Sequence, residues 1–140
     1  MTDLRDIALH RHGPCKHEGP RASAALRVIL RLAEDDEVAQ AIDARERVGA
    51  ATYDGAHVTL GWPDAFAAAV QEALDLLLYL TAEAGRHTDA PHVARQWVGL
   101  ARHQHLTLLR MLDLHDGGSR HHNAILDRMD LAGGIASGAA

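Results

Sequence analysis

The segment from Ala65 to Ala82 is the feature that most constrains how this 140-residue chain can fold. Its sequence, AFAAAVQEALDLLLYLTA, is apolar nearly all round, yet it carries two acids, Glu72 and Asp75. A helix that is apolar on every side is typical of a central, buried position. An ionised carboxylate buried without a partner is very costly, so both acids need compensation there. Because residues three positions apart share a helix face, we expect both carboxylates to reach one ligand.

Two explanations for this acid pair remain open from the residues alone. Glu72 and Asp75 could form buried ion pairs with an arginine such as Arg45 or Arg102, or lie partly exposed at a groove. Alternatively, they could bind a divalent metal, because a bound cation is another way to compensate buried carboxylates.

A second acid pair with the same spacing, Glu34 and Glu37, lies upstream. One helical stripe there contains Leu26, Ile29, Leu30, Ala33, Glu37 and Ala41. This periodicity places Glu37 on the core side. Since Mg²⁺ binds through one or two carboxylates, waters and phosphate oxygens, the two pairs together predict a magnesium site. The alternative is a solvated acidic turn over residues 34–37.

Helical spacing and the near absence of strand alternation predict an all-α bundle of four or five helices. Residues 1–20, with two Gly-Pro breakers, are expected to form an irregular arm, 21–131 a single helical domain and 132–140 a flexible tail. The expected helices are 21–48 with a break near 34–37 and a stop at Gly49, 63–83, one from Pro91 to Gly117 capped by Thr88 or Asp89, and 121–131.

Charge and composition exclude several classes of protein. Fourteen basic against 19 acidic side chains give a net charge of −5, which disfavours dedicated nucleic-acid binding. A single cysteine excludes an internal disulfide. The charged N-terminus does not resemble a signal peptide, and no unbroken apolar run approaches the roughly 20 residues that span a bilayer. We therefore expect a cytoplasmic protein without a membrane segment.

The stretch from Arg45 to Leu80 resembles the small MazG-like nucleotide pyrophosphohydrolases common in actinobacterial phages. That pattern has an Arg-x-x-x-Gly-x-x-x-Tyr segment and a Gly-rich loop before a helix similar to QEALDLxxYL. The matching residues are Arg45, Gly49, Tyr53, Gln71, Glu72, Ala73, Leu74, Asp75, Tyr79 and Leu80. With the upstream acid pair, the resemblance covers residues 34–84.

The resemblance implies an all-α homodimer or homotetramer that acts in the cytoplasm, the host's if phage-encoded. It also implies hydrolysis of a nucleoside or deoxynucleoside triphosphate to the monophosphate and pyrophosphate, with Mg²⁺ or Mn²⁺. The implied metal ligands are Glu34, Glu37, Glu72 and Asp75, of which Glu37, Glu72 and Asp75 are the catalytic set. The implied substrate-binding residues are Arg45 and Arg47 towards phosphate, and Tyr53 and Tyr79, with Tyr79 near a base or ribose.

The first acid motif departs from the family pattern. Ala33 stands where the family has a further Glu, and the gap between Glu37 and Glu72 is longer than usual. Asp43 and Glu46 are alternative ligands from the same segment. These departures favour a second hypothesis, a non-catalytic helical relative that acts through protein contacts or by sequestering nucleotide.

A third hypothesis concerns the N-terminal arm. Four nitrogen and sulfur donors, His10, His12, Cys15 and His17, lie within eight positions and could hold a zinc ion. The alternative is a solvated, histidine-rich arm. Trp62, just before a proline, is either a packing anchor or a platform on which a base stacks.

Overall fold

A computed structural model describes residues 3–52 and 55–117 of the chain. Its helices are α1 (Leu4–Leu9), α2 (Ala22–Leu30), α3 (Glu37–Thr52), α4 (Ala65–Gly85) and α5 (Pro91–His115). Within the described residues, β-pairing is limited to one isolated antiparallel bridge between Arg21 and Thr59. The expected all-α class is therefore confirmed. The helix predicted for 121–131 and the tail at 132–140 lie outside the described residues.

The chain divides into two compact units. The first contains α1, α5 and α4 from Phe66 onward. The second contains α2, α3 and the loops at 12–20 and 55–64. Each unit has its own packing, and the two are described separately below.

A small aliphatic core holds the first unit together. Ile7 of α1, Val70 and Ala73 of α4 and Leu108 of α5 are buried against one another, and Val70 is fully inaccessible. The partly buried side chains packed around them are Leu4, Phe66, Ala67, Leu74, Leu77, Met111 and Leu112. At the edge of this core the ring of Phe66 stacks on His115 with centroids 3.7 Å apart.

Helix α1 lies within the arm that the sequence predicted to be irregular, so that prediction is wrong over residues 4–9. Asp3 caps its first turn by accepting a hydrogen bond from the Arg5 amide at 2.9 Å. At its other end, Gln71 of α4 donates from Nε2 to the carbonyls of Ile7 at 3.0 Å and His10 at 2.7 Å. The Ile7 carbonyl also accepts from the His10 amide at 3.1 Å, so Gln71 adds a second donor there and supplies one to His10 just past the helix end.

In the second unit the predicted break near the acidic run is confirmed. Helix α2 ends where Arg31 takes a left-handed conformation with φ of 54°. Asp36 then starts α3 by accepting hydrogen bonds from the amides of Val38 at 2.8 Å and Ala39 at 3.4 Å. The stop predicted at Gly49 is wrong, because α3 continues to Thr52.

An ion pair and two backbone hydrogen bonds join the parts of the second unit. Arg27 of α2 pairs with Asp43 of α3. The amide of Ala22 donates to the Val58 carbonyl, and that of Leu60 donates to the Pro20 carbonyl, each at 2.9 Å. The loop 55–64 is therefore attached to the start of α2.

The starts and ends of the two long helices follow the sequence closely. Helix α4 begins at Ala65, just after the predicted Pro63–Asp64 start, and α5 has Pro91 in its first turn. The cap predicted at Thr88 or Asp89 is wrong, because Ala90 occupies the N-cap position and makes no side-chain cap bond. Past the end of α5, Gly117 adopts a φ of 96°, a conformation that favours glycine.

The central, buried position predicted for α4 is wrong. Only Val70, Ala73 and Ala84 of this helix are buried, whereas Leu78 and Tyr79 are 67% and 65% exposed. By length and composition α4 could cross a membrane, although core helices of soluble proteins pass the same test. Its two mid-helix acids would each cost about 2.5–3.5 kcal/mol at the centre of a bilayer.

Truncation of the first unit's core tests this packing. Leu108→Ala should lower the free energy of unfolding by about 2–5 kcal/mol, since Leu108 is buried in the contact between α5 and α4. Leu106→Ala, on the same helix but 61% exposed, should change it by less than about 0.5 kcal/mol. Urea unfolding followed by circular dichroism measures both. Equal effects of the two substitutions would contradict the assigned core.

Candidate functional site

The acid pair of α4 lies in solvent. Glu72 and Asp75 are both exposed, and so is Tyr79 one turn later. At 3.6 residues per turn these three side chains share the face opposite Val70. The predicted common face is therefore consistent with the structure. The expectation that both acids are buried is wrong, because both side chains are exposed, so burial does not require a cation beside them.

Neither acid of this pair is engaged elsewhere. Among residues 3–52 and 55–117, Glu72 and Asp75 make no ion pair or side-chain hydrogen bond. The alternative of buried ion pairs with Arg45 or Arg102 is thus wrong for the described part of the chain. Both carboxylates keep all their oxygens available to a ligand from solution.

The upstream acids are exposed too. Glu34 lies in the turn before α3, and Glu37 is the first residue of that helix. The core-side position expected for Glu37 is wrong, because the whole stripe to which it belongs faces solvent. The solvated acidic turn agrees with this placement, and Asp36 within the turn caps α3.

The geometry allows a test of how well the acids fit Mg²⁺. Among the described residues, no three His, Cys, Asp or Glu side chains group as ligands of one metal ion. Mg²⁺ does not need such a group, because waters and substrate phosphates complete its coordination around one or two carboxylates. The pair Glu72 and Asp75 meets that smaller requirement by its spacing and its accessibility. The pair Glu34 and Glu37 is accessible too, but Glu34 lies in the turn before α3, so helical spacing does not place these two acids on one face.

The alternative ligands, by contrast, are already engaged. Asp43 pairs with Arg27, and Glu46 Oε2 lies 3.1 Å from His57 Nδ1. Neither therefore offers a free carboxylate comparable to those of the exposed pairs.

Glu46 is held in its ionised form by its surroundings. Burial raises the pKa of Glu46, but hydrogen bonds with Ser23 and His57 outweigh it. The charges of His57 and Arg21 add to the effect, so the pKa of Glu46 lies below its usual range. This carboxylate contributes to holding the second unit together.

The predicted substrate-binding residues are only partly described. Arg45 and Arg47 are exposed on α3, and Tyr79 is exposed on α4. Tyr53 lies outside the described residues. An aromatic group of the expected kind is therefore accessible in the first unit, and two arginines are accessible in the second.

A compact network attaches the N-terminal loop to the loop before α4. The hydroxyl of Thr59 lies 3.4 Å from Cys15 Sγ and 3.0 Å from His17 Nδ1, and it donates to the His17 carbonyl at 2.9 Å. Cys15 is buried. Sequence analysis did not identify Thr59, because its partners lie more than 40 residues away and no local pattern marks that contact.

This network lowers the pKa of the Cys15 thiol. Burial raises its pKa, but hydrogen bonds with the Thr59 side chain and with the backbones of Thr59 and His17 outweigh burial. The pKa of Cys15 is consequently below its usual range.

His12, another residue of the zinc hypothesis, packs its ring edge-on to Trp62, with centroids 5.3 Å apart. The described geometry thus gives the zinc alternative no support.

A shallow cleft of about 480 Å³ lies beside this network. Its lining residues are Gly13, Pro14, Lys16, His17, Trp62, Pro63 and Asp64. The edge-on contact with His12 supports the packing role of Trp62. The four predicted metal ligands do not line this cleft.

Removal of the Thr59 hydroxyl tests the thiol network. Thr59→Val should raise the pKa of Cys15, since it removes a hydroxyl that can turn its proton from the His17 carbonyl to the Cys15 thiolate. The rate of alkylation by iodoacetamide against pH reports this pKa without interference, because Cys15 is the single cysteine. Thr81→Val, whose hydroxyl bonds only its own helix at Leu77, should leave the profile unchanged. An unshifted Thr59→Val profile would refute the network.

The Glu46 carboxylate generates a second prediction. Its lowered pKa means that it stabilises the fold above its unfolded-state pKa, and that this contribution disappears as pH falls through the folded-state pKa. Glu46→Gln should therefore lower the free energy of unfolding at pH 7 by about 1 kcal/mol or less, and by nothing at strongly acid pH. Urea titrations at both pH values measure this, with Glu34→Gln as the unpaired control. A pH-independent difference would be the contrary result.

Comparisons of the chain with known proteins found no match. No family model matches the chain, and no curated protein or solved structure does so either. The likeness of residues 34–84 to MazG-like enzymes remains a hypothesis drawn from the residues themselves.

Proposed function

We propose that the protein is a Mg²⁺-dependent nucleoside triphosphate pyrophosphohydrolase, or a nucleotide-binding relative, with Glu72 and Asp75 as its principal metal ligands. One observation carries the proposal. Two solvent-accessible carboxylates lie one turn apart on α4, with Tyr79 on the same face and with no side-chain partner among residues 3–52 and 55–117. An isolated surface acid pair would have little meaning, but this one interrupts a helix that is otherwise almost entirely apolar.

In this proposal the residues have separate tasks. Glu72 and Asp75 would supply carboxylate oxygens to coordinate the divalent cation that accompanies a triphosphate, directly or through its waters. When bound, Mg²⁺ would neutralise phosphate charge and position a water for attack on the phosphoanhydride. Tyr79 offers an exposed ring against which a base or ribose can pack.

Residues of the second unit keep the roles that the resemblance implies only as predictions. Glu34 and Glu37 are exposed acids there, and their part in metal binding and catalysis is untested. Arg45 and Arg47 are exposed and positively charged, which suits contact with phosphate oxygens. We place the protein in the cytoplasm as a homodimer or homotetramer, as the resemblance implies.

One observation favours a second candidate, a non-catalytic relative. Ala33 stands in place of an expected acid, and the neighbouring stripe faces solvent rather than a core. Such a protein would bind a nucleotide or another protein without turnover. It predicts nucleotide binding without pyrophosphate release.

Turnover measurements with matched variants separate the two candidates. The full chain is incubated with each NTP and dNTP in the presence of Mg²⁺ or Mn²⁺, and monophosphate and pyrophosphate are quantified. Glu72→Gln and Asp75→Asn should each reduce turnover by about 100-fold or more, since even outer-shell partners of a metal ion are worth 10–100-fold.

Glu83→Gln provides the control on the same helix. Glu83 pairs with Arg86 and His87, each at 3.2 Å, and takes no part in the proposed site. Its removal should leave turnover unchanged. Hydrolysis that survives loss of both α4 acids would refute the assignment. Absence of turnover with any nucleotide, alongside intact nucleotide binding, would select the non-catalytic candidate.

A further inference from the structure

Helix α5 presents three arginines to solvent on one side. At 3.6 residues per turn, Arg95, Arg102 and Arg110 lie on the side of the helix opposite the buried Leu108. All three arginine side chains are exposed. At 1.5 Å per residue, Arg95 and Arg110 are about 22 Å apart along the helix axis. The arginines therefore form a line of positive charge along most of the helix.

These three arginines have no partner in the part of the chain that the structure describes, residues 3–52 and 55–117. None of them forms an ion pair or a side-chain hydrogen bond there, whereas Arg27 and Arg86 each pair with an acid. The one acid of α5, Asp113, is half-buried and is engaged in a contact of its own. The line of charge is thus available to an anionic partner.

Aliphatic side chains lie among these cations. Val98, Leu106 and Leu109 are 39%, 61% and 48% exposed, and they share with the arginines an arc of about 120° around the helix. The arginines together with these three residues are called the α5 face below. Such a face fits a partner that offers anionic groups and hydrocarbon side by side.

A bilayer with anionic phospholipids is such a partner, because its headgroup phosphates lie directly above its acyl chains. A nucleic acid fits less well. Its backbone offers phosphates, but it gives the exposed aliphatic side chains of the α5 face no hydrocarbon to contact.

We propose that the α5 face binds the surface of a membrane that contains anionic phospholipids. The arginine guanidinium groups contact phosphate oxygens, which their planar donors match, and Leu106 and Leu109 contact the acyl boundary. The net charge of −5 does not prevent this, because repulsion from acids on other faces is screened beyond about 8 Å at physiological salt. Binding of this kind needs no membrane-spanning segment and goes beyond the proposed hydrolysis.

Co-sedimentation of the full chain with phospholipid vesicles tests the α5 face. The chain should bind vesicles of phosphatidylcholine and phosphatidylglycerol, and should not bind vesicles of phosphatidylcholine alone. The combined substitutions Arg95→Gln, Arg102→Gln and Arg110→Gln should weaken binding about 100-fold, because each cation near an anionic bilayer is worth about fivefold in affinity.

A matched triple variant separates the α5 face from the net charge of the chain. Arg5→Gln, Arg11→Gln and Arg31→Gln remove the same charge from exposed arginines outside α5 and should change vesicle binding by no more than about twofold. Leu106→Gln should weaken it at least about threefold, because an aliphatic contact with the bilayer is lost. Every replaced side chain is exposed, so all variants should keep their helical circular dichroism.

Three results would overturn the proposal. The first is absence of binding to the anionic vesicles, and the second is an equal loss of binding in the two triple variants or normal binding by Leu106→Gln. The third is tighter binding to a short DNA duplex than to the vesicles, which would assign the face to nucleic acid. Vesicle binding and pyrophosphate release are measured separately, so the failure of one proposal leaves the other intact.

Discussion

The contact of Ile7 and Leu108 with Val70 is the interaction on which the first unit depends. It is small, because few large side chains take part and the chain has few aromatic residues to enlarge it. Buried apolar area provides the main favourable free energy of folding. A core this limited leaves much of α4 and α5 outside it, including Leu78 and Leu106. The exposed acids of α4 are a consequence of that same limited burial.

Polar contacts hold the chain where apolar burial is lacking. Gln71 secures the end of α1, Asp36 starts α3, and Thr59 attaches the N-terminal loop to the loop before α4. Each such hydrogen bond adds only about 0.5–1.5 kcal/mol. These contacts fix local geometry without replacing a core. Leu26, Ile29 and Leu30 of α2 are among the apolar side chains left exposed.

Sequence periodicity and local signals predicted where the helices lie better than which of their faces are buried. Local signals such as Pro91 and the acidic run before α3 placed α5 and the break after α2 correctly, because caps and prolines act within one turn. Burial could not be predicted in the same way. The stripe at Leu26, Ile29 and Leu30 has the pattern of a core face, but periodicity does not tell which surface covers it.

At the candidate site, too, the relative placement of residues on a helix was predicted, whereas their burial was not. The common face of Glu72 and Asp75 followed from their spacing, whereas their exposure depended on how α4 packs against α1 and α5. Thr59 had no sequence signal, since its partners are distant in the chain. Glu37 was expected to face a core, but it is exposed, as is the rest of its stripe, so the prediction failed at the packing step.

Paramagnetic broadening by Mn²⁺ tests the central claim, that the α4 acids bind the metal of a nucleotide complex. In amide spectra of the full chain with a nucleoside triphosphate, trace Mn²⁺ should broaden the resonances of Glu72 and Asp75 and their helical neighbours first. Loss of that broadening in the Glu72→Gln variant would confirm the ligand assignment. Broadening confined to the N-terminal histidines, or spread evenly over all surface acids, would contradict it.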